Sequence, residues 1–186
     1  MKLLLERGYG RVSLDEVAAD AGVSKATVYH YFSGKDDLLT RSLSQRMAEK
    51  QDEIEHHARS GGTAAARLQL YLEGFWARNL RPQAALWQQM LVSEIATDAP
   101  EVFAAWAQGF VARWESVERL IKEGQRSGEF RRDADAHAAA RTIVSSLTHQ
   151  ALFHVHLGLH RFAPYRRDRL CTSLITQFLR GLRKHS

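Results

Sequence analysis

Between residues 103 and 121 the large apolar side chains Phe103, Trp106, Phe110, Trp114, Val117 and Ile121 recur at intervals of 3, 4, 4, 3 and 4. Only an α-helix brings such positions onto one face. An apolar stripe about five turns long must be covered, which commits the chain to helix-on-helix packing. The rest of the sequence obeys the same period. Leu68, Tyr71, Leu72, Phe75 and Trp76 form one helical face, Leu86, Trp87, Met90, Leu91 and Ile95 a second, and Ala140, Ile143, Val144, Leu147, Ala151 and Val155 a third. Leu170, Leu174, Ile175, Phe178, Leu179 and Leu182 follow as a fourth. No alternation of strands and helices, internal repeat or low-complexity tract interrupts them.

Stop and start signals divide the chain into about nine helices. The first runs from Met1 to about Arg7 and ends at Gly8, a residue suited to the left-handed helix end. Ser13-Leu14-Asp15-Glu16 is a capping box, and the second helix runs to about Ala21. Gly22-Val23 makes a turn before Ser24 caps a third helix through Tyr31. Ser33-Gly34-Lys35-Asp36 repeats the capping logic for a long fourth helix to about Arg59, with a sparse stripe of Leu39, Leu43, Met47, Ile54 and Ala58. Ser60-Gly61-Gly62-Thr63 breaks it, and Arg81-Pro82 ends the fifth helix. Asp98-Ala99-Pro100-Glu101 reads as a helix start with Asp98 as cap. Ser127-Gly128 is a stop, Asp133 or Asp135 caps the eighth helix, and the ninth begins at about Pro164.

Composition narrows the function. With 186 residues, 45% hydrophobic and 25% charged, the chain has material for one or two domains and is not a disordered tail. A single cysteine, Cys171, excludes an intrachain disulfide and a cysteine-based zinc site and fits a reducing, cytoplasmic setting. The thiol falls among packing positions and reads as an inert core group. Apolar runs are too short for a membrane helix or a secretory leader. The net charge of +5 lies at the C-terminal end. Residues 160–186 hold seven Lys/Arg against one acid, whereas residues 1–46 hold seven against six. His149, His154, His156 and His160 offer one chelating spacing, but Gly158 and the lack of a third ligand argue against a metal, and no cofactor is expected.

The segment 13–32 has the form helix, tight glycine turn, helix, which can set its second helix into a DNA major groove. Ser24, Lys25, Thr27, Tyr29 and His30 are its outward polar groups, while Ala18, Val23 and Val28 lock the helices together. No acid occurs from Ala21 to Lys35, so the segment reads as a rigid cationic ridge. Physics alone leaves a second reading open, an ordinary helical hairpin on a protein surface.

The run from Val12 to Leu39 closely resembles the DNA-binding module of the TetR family of transcriptional regulators. The resemblance is carried by Ala21-Gly22-Val23-Ser24, by Thr27-Val28-Tyr29-His30-Tyr31-Phe32 and by Lys35-Asp36-Asp37-Leu38-Leu39. It implies an all-α protein with a three-helix helix-turn-helix domain at residues 1–45 and a helical ligand-binding and dimerisation domain at 46–186. Ser13, Tyr29, His30 and Lys35 fall where family members contact phosphates, and Ser24, Lys25, Ala26 and Thr27 at the start of the reading helix. Tyr31 and Phe32 are expected to pack the module's small core. Ala26 stands where glycine is common. The chain also starts inside a first helix that is usually longer and preceded by a basic arm. Arm contacts are therefore expected to be absent, unless the true start lies upstream, and affinity to be weakened.

The resemblance further implies a homodimer, with Leu147, Ala151, Leu170, Leu174 and Phe178 meeting their twofold mates. It implies an effector pocket, for which Trp76, Trp87, Met90, Phe103, Trp106, Phe110, Trp114 and Phe153 supply apolar bulk and Glu94, His149 and His154 polar handles. The expectation is a one-component repressor that binds a palindromic operator and is released by a small apolar or aromatic molecule through a tilt of the fourth helix. An enzyme is not expected, since no nucleophile–base pair or phosphate-cradling glycine loop is present. The alternative is a helical adaptor or small-molecule-binding protein without DNA binding.

Overall fold

Local capping chemistry decides where the helices begin. A computed structural model describes residues 2–59, 62–162 and 166–183. The boundary at Ser60-Gly61, the start near Pro164 and the side chains of Ala58, His154, Val155 and His160 lie outside what is described. Helix α1 (Lys2–Arg7) ends at Gly8 in the left-handed conformation, φ +85°, whose N–H donates to the Leu4 carbonyl at 2.8 Å. Helix α2 (Leu14–Asp20) carries both halves of its capping box. The Glu16 N–H donates to Ser13 Oγ at 3.2 Å, and the Ser13 N–H donates to the Glu16 carboxylate at 2.8 Å. Gly22, at φ +66°, turns the chain, and Ser24 caps α3 (Lys25–Tyr31) by accepting from the Thr27 N–H at 3.0 Å. At the head of α4 (Lys35–Arg59) the Ser33 N–H donates back to the Asp37 carboxylate at 3.0 Å.

Helix α5 (Ala64–Asn79) is capped by Thr63. Helix α6 (Pro82–Met90) widens into a π-helical turn, Leu91–Ile95, and closes with the short turn Ala96–Asp98. Asp98 therefore ends this element and does not cap the next. Helix α7 (Pro100–Ser127) opens on the proline itself, whose missing N–H suits a first helical position. Asp135, not Asp133, caps α8 (Ala136–His149), accepting from the His137 and Ala138 N–H groups at 2.9 and 3.0 Å. A second π-helical turn, Gln150–His156, prolongs α8, and a 3-10 turn, Leu159–Arg161, precedes α9 (Arg167–Leu182). Among the described residues there are nine α-helices besides the three-residue helical turn Ala96–Asp98, and no strand, and no helix is long and apolar enough to cross a membrane.

The helices pack into two units. The first joins Met1–Glu49 to Leu86–Gly109, the second Lys50–Ala85 to Phe110–Ser186. In the first unit Leu4, Tyr9, Val12, Leu39 and Leu43 pack with Met90, Leu91, Ile95 and Val102, while Leu14, Ala18 and Val28 form a smaller cluster. The second unit buries Leu68, Tyr71, Leu72 and Phe75 with Val117, Ile121, Phe130, Ile143, Val144, Leu147 and Ile175. Two expected inward positions face outward. Leu86 on α6 and Val23 in the glycine turn are both exposed.

Candidate nucleic-acid interface

The reading head is small because its core needs only three fully covered side chains. Val28 of α3 packs on Leu14 and Ala18 of α2, with Phe32, four residues on from Val28 and on the same helical face, half-buried beside them. With Val28 turned inward, the remaining surface of α3 faces out. Ser24, Lys25, Ala26, Thr27, Tyr29 and His30 are all exposed, as is Ser13 at the start of α2. The structure thus brings seven of the eight expected contact residues onto exposed positions of one helix pair. Tyr31 was expected in the core and is instead 63% exposed, its ring meeting His30 edge-on with centroids 5.0 Å apart. It adds a second phenol to the face. The signal was available, since Phe32 alone shares Val28's i, i+4 row.

The face is hydroxyl- and phenol-rich, which corrects the expectation of a cationic ridge. Lys25 Nζ lies 2.7 Å from the Asp15 carboxylate, and that hydrogen bond holds the carboxyl below its usual range and the ammonium above its own. Ser24 and Thr27 share a hydrogen bond of 2.7 Å. Lys35 turns inward: its ammonium donates to the Tyr9 carbonyl at 2.7 Å and sits 3.9 Å from the centre of the Tyr9 ring. The Tyr9 hydroxyl donates to the Asp36 carboxylate, and burial, then that bond, pushes the phenol above its ordinary range. Beside the C-terminal end of α3, an open cleft of about 790 Å³ is lined by Tyr29, His30, Tyr31, Lys35 and Arg41, among others. Arg41 is held by Asp37 through two hydrogen bonds of 2.7 and 3.1 Å.

Glu94 has a different place from the one expected. It stands in the Leu91–Ile95 turn, and its Oε2 accepts from the backbone N–H of Tyr9 at 2.7 Å and of Gly10 at 3.3 Å. It is a backbone anchor for the loop between α1 and α2. Its partners lie some 85 residues away in sequence, so no local pattern could have revealed it.

The expected effector residues divide between the two units. Trp87, Met90, Glu94, Phe103 and Trp106 belong to the first, where Met90 is buried and the three aromatic rings are half-buried. Trp76, Phe110, Trp114, His149 and Phe153 belong to the second. There Trp76 is buried, Phe110 and Trp114 meet edge to face at 5.2 Å, and His149 stacks on the exposed Phe153 at 4.4 Å. Trp114 also lines an open groove of about 750 Å³ with Arg119, Lys122, Arg126, Arg132 and Arg141.

Of the expected dimer residues, Leu170, Leu174 and Phe178 on α9 are half-buried and retain free surface. Leu147 and Ala151 are 0% exposed in the single chain. Their side chains are used up in its own core and cannot reach a mate. His156 makes a 2.7 Å hydrogen bond with the Asn79 carbonyl oxygen, and among the described residues no cluster of three metal-ligating side chains occurs. Cys171 is buried, and desolvation, aided by Glu73, raises its thiol to about 11, as an inert core group requires.

This arrangement has counterparts among known proteins. Residues 1–41 match the family model of bacterial regulatory proteins, tetR family. The fatty acid metabolism regulator protein of Bacillus subtilis is 22% identical over 152 residues, 79% of this chain and 75% of that protein. The crystal structure of the regulator FadR from Bacillus subtilis, in complex with stearoyl-CoA, superposes with a TM-score of 0.78 at 20% identity, covering 97% of this chain and 94% of that one. A TetR/AcrR-family regulator from Thermobifida fusca superposes with a TM-score of 0.67 at 22% identity, covering 98% and 93%. Residues 1–41 thus carry the DNA-binding module of the tetR-family regulators, and the fold matches theirs from end to end.

Proposed function

We propose that this regulator is a cytoplasmic, homodimeric repressor, without catalytic activity, whose residues 1–45 read a palindromic operator and whose residues 46–186 bind an effector and pair with a second copy. The observation that carries the reading is the capped helix pair. Two caps and a three-residue core hold α3 while leaving Ser24, Lys25, Ala26, Thr27, Tyr29 and His30 exposed. Ser13, Tyr29, His30 and Tyr31 would meet phosphates as neutral or imidazole donors, and Lys25, Ala26 and Thr27 would approach base edges. Lys35, tied to Tyr9, is a brace between α4 and the α1–α2 loop and not a phosphate ligand.

Two such heads on a twofold axis reach successive major grooves when about 34–36 Å apart, and α9 offers Leu170, Leu174 and Phe178 for the pairing. For the effector, the aromatic side chains favour an apolar body, and the likeness to a regulator crystallised with stearoyl-CoA favours an acyl chain. Release would run through the Leu91–Ile95 turn. A shift there moves Glu94, and with it the loop that Lys35 braces against the start of α4. A coupling of about 1–3 kcal/mol would change operator affinity between several-fold and a hundredfold.

Fluorescence anisotropy tests this with duplex DNA from the region upstream of the protein's own gene. Two chains should bind each palindrome, Tyr29→Ala should lose affinity about tenfold or more, and an acyl-CoA should reverse binding. Failure to bind any duplex at low ionic strength refutes the reading and leaves the helical adaptor in its place.

A further inference from the structure

The second unit holds a nearly buried guanidinium that no carboxylate among the described residues answers. Arg113, on the inner side of α7, is 8% exposed, and its Nε–H has no hydrogen-bond partner. Among the described residues no carboxylate pairs with it. Its charged neighbour is another guanidinium, Arg78 of α5; the buried Tyr71 phenol also acts on it, and the Phe110 ring centre lies 5.7 Å from the guanidinium carbon. Burial above all, and then the like charge of Arg78, lowers Arg113 to about 9. The chain's handling of nearby cations is different: Arg67 meets Glu123 at 2.8 Å, Arg119 meets Glu55 at 2.9 Å, and Lys122 meets Glu118 at 2.6 Å.

The polar cluster next to Arg113 has nothing to lend it. Gln51 Nε2 donates to the Tyr71 hydroxyl, Ser116 Oγ and the Glu55 carboxylate at 3.0, 2.8 and 2.9 Å, and Ser116 Oγ donates to Glu55 in turn. Glu55, already holding Arg119 and Arg59, is the carboxylate of this cluster and is fully engaged. A buried guanidinium without an anion is among the least favourable features a fold can carry. It is explained if the anion arrives from outside.

We propose that Arg113, with Arg78 beside it, receives the anionic head of the effector, so that the effector is an apolar anion: a hydrocarbon body bearing a carboxylate or phosphate. Phe110 and Phe75, the latter with Arg78 over its ring at 5.4 Å, supply apolar walls next to the charges. This inference rests on the effector-binding reading above and deepens it by assigning the ligand's charged end to Arg113 and Arg78.

The test uses the full chain and three probes that share one alkyl body: dodecanoate, dodecanoyl-CoA and dodecanol. Titration calorimetry should show at least one of the two anions binding wild type about tenfold or more tighter than dodecanol, as a charge-assisted contact implies. Which anion wins separates a carboxylate from a phosphate source. Arg113→Met should remove that preference, leave operator affinity unchanged, and raise the thermal midpoint, since it deletes a nearly buried charge with no carboxylate partner among the described residues. The inference is overturned if wild type binds dodecanol as well as both anions, or if Arg113→Met keeps the preference. A variant that melts below wild type, or does not fold, overturns it as well, because Arg113 would then be structural. If no probe binds wild type while operator binding persists, both the inference and the acyl-effector reading fail; equal binding of all three sinks the inference alone.

Discussion

Glu94 and Gly8 make a pair whose coupling is calculable. Glu94 Oε2 accepts from the Tyr9 N–H at 2.7 Å, a short charge-assisted bond, and from the Gly10 N–H at 3.3 Å, a long one. A hydrogen bond to a charged group contributes about 1.5–3 kcal/mol, and Tyr9 is 6% exposed, so its amide has little access to replacement water. Glu94→Ala should therefore destabilise the protein by about 2–3 kcal/mol, nearly all from the first bond. Glu94→Gln retains a carbonyl acceptor and should cost roughly half as much.

Gly8 supplies the control. Its φ is +85°, and a Cβ built there would lie 3.1 Å from both carboxylate oxygens of Glu94. Gly8→Ala thus carries two penalties, about 1–2 kcal/mol for the left-handed backbone and a further amount for crowding the carboxylate. Only the second vanishes when Glu94 is truncated. Urea unfolding of wild type, Gly8→Ala, Glu94→Ala and the double variant isolates it. The double variant should be more stable than additivity requires by about 0.5–1 kcal/mol. Additivity within about 0.3 kcal/mol would show that the carboxylate does not stand against Gly8. A Glu94→Ala protein within about 0.5 kcal/mol of wild type would show that the loop is held by something else.

Three further outcomes follow from the same geometry. Ala for Gly inside a helix normally stabilises by about 1 kcal/mol, yet a Cβ at Gly124 would collide with the fully buried Phe130 ring; Gly124→Ala should lower stability by about 1–3 kcal/mol in denaturant melts, and a stabilised variant refutes the contact. Asp15→Asn releases Lys25 from its 2.7 Å pair and makes it available to the base edges, so anisotropy titrations should give tighter operator binding; weaker binding would mean that Asp15 positions Lys25. Hydrogen bonds from the Ala65 N–H first, and from the Ala64 N–H and Ser127 as well, hold the Glu129 carboxyl below its usual value. A depressed carboxyl contributes stability above its unfolded value of 4.5 that disappears as pH falls through the folded value. Glu129→Gln should therefore lower stability most at neutral pH, where the ionised carboxylate contributes in full, and flatten the acid limb below 4.5 so that the two curves converge in acid; an unaltered acid limb counts against the cap.

What could be read from the chain follows the range of each interaction. The caps at Ser13, Ser24, Thr63 and Asp135 were legible because donor and acceptor lie two or three residues apart. Helix faces were legible because their period is local. What covers a face is not local, which is why Leu147 and Ala151, read as twofold contacts, lie at zero exposure inside one chain, and why the aromatic residues read as one pocket fall into two units. Both π-helical turns, Leu91–Ile95 and Gln150–His156, were read as ordinary helix. The apolar rows are nearly the same for either winding, although wide turns of this kind concentrate at functional sites. One carries Glu94 and the other Phe153.

The same distinction decides how the head binds DNA. Formal charge gives residues 1–46 a near balance of seven cations and six acids, but a phosphate meets only those cations that are free. Arg7 pairs with Glu16 at 3.2 Å, Lys25 with Asp15 at 2.7 Å, Arg41 with Asp37 at 2.7 Å, and Lys35 is drawn onto Tyr9. Among the side chains described in this head, that leaves Arg11 and, when protonated, His30. Counterion release scales with the cations actually placed on phosphates, so nonspecific affinity should be low and the salt slope shallow for a regulator of this size. Hydroxyls, phenols and helix N-terminal amides lose less to ionic strength than ammonium groups do. Affinity must then come from the fit of α3 in the groove, and specific and nonspecific binding should stand further apart than a strongly basic head would allow.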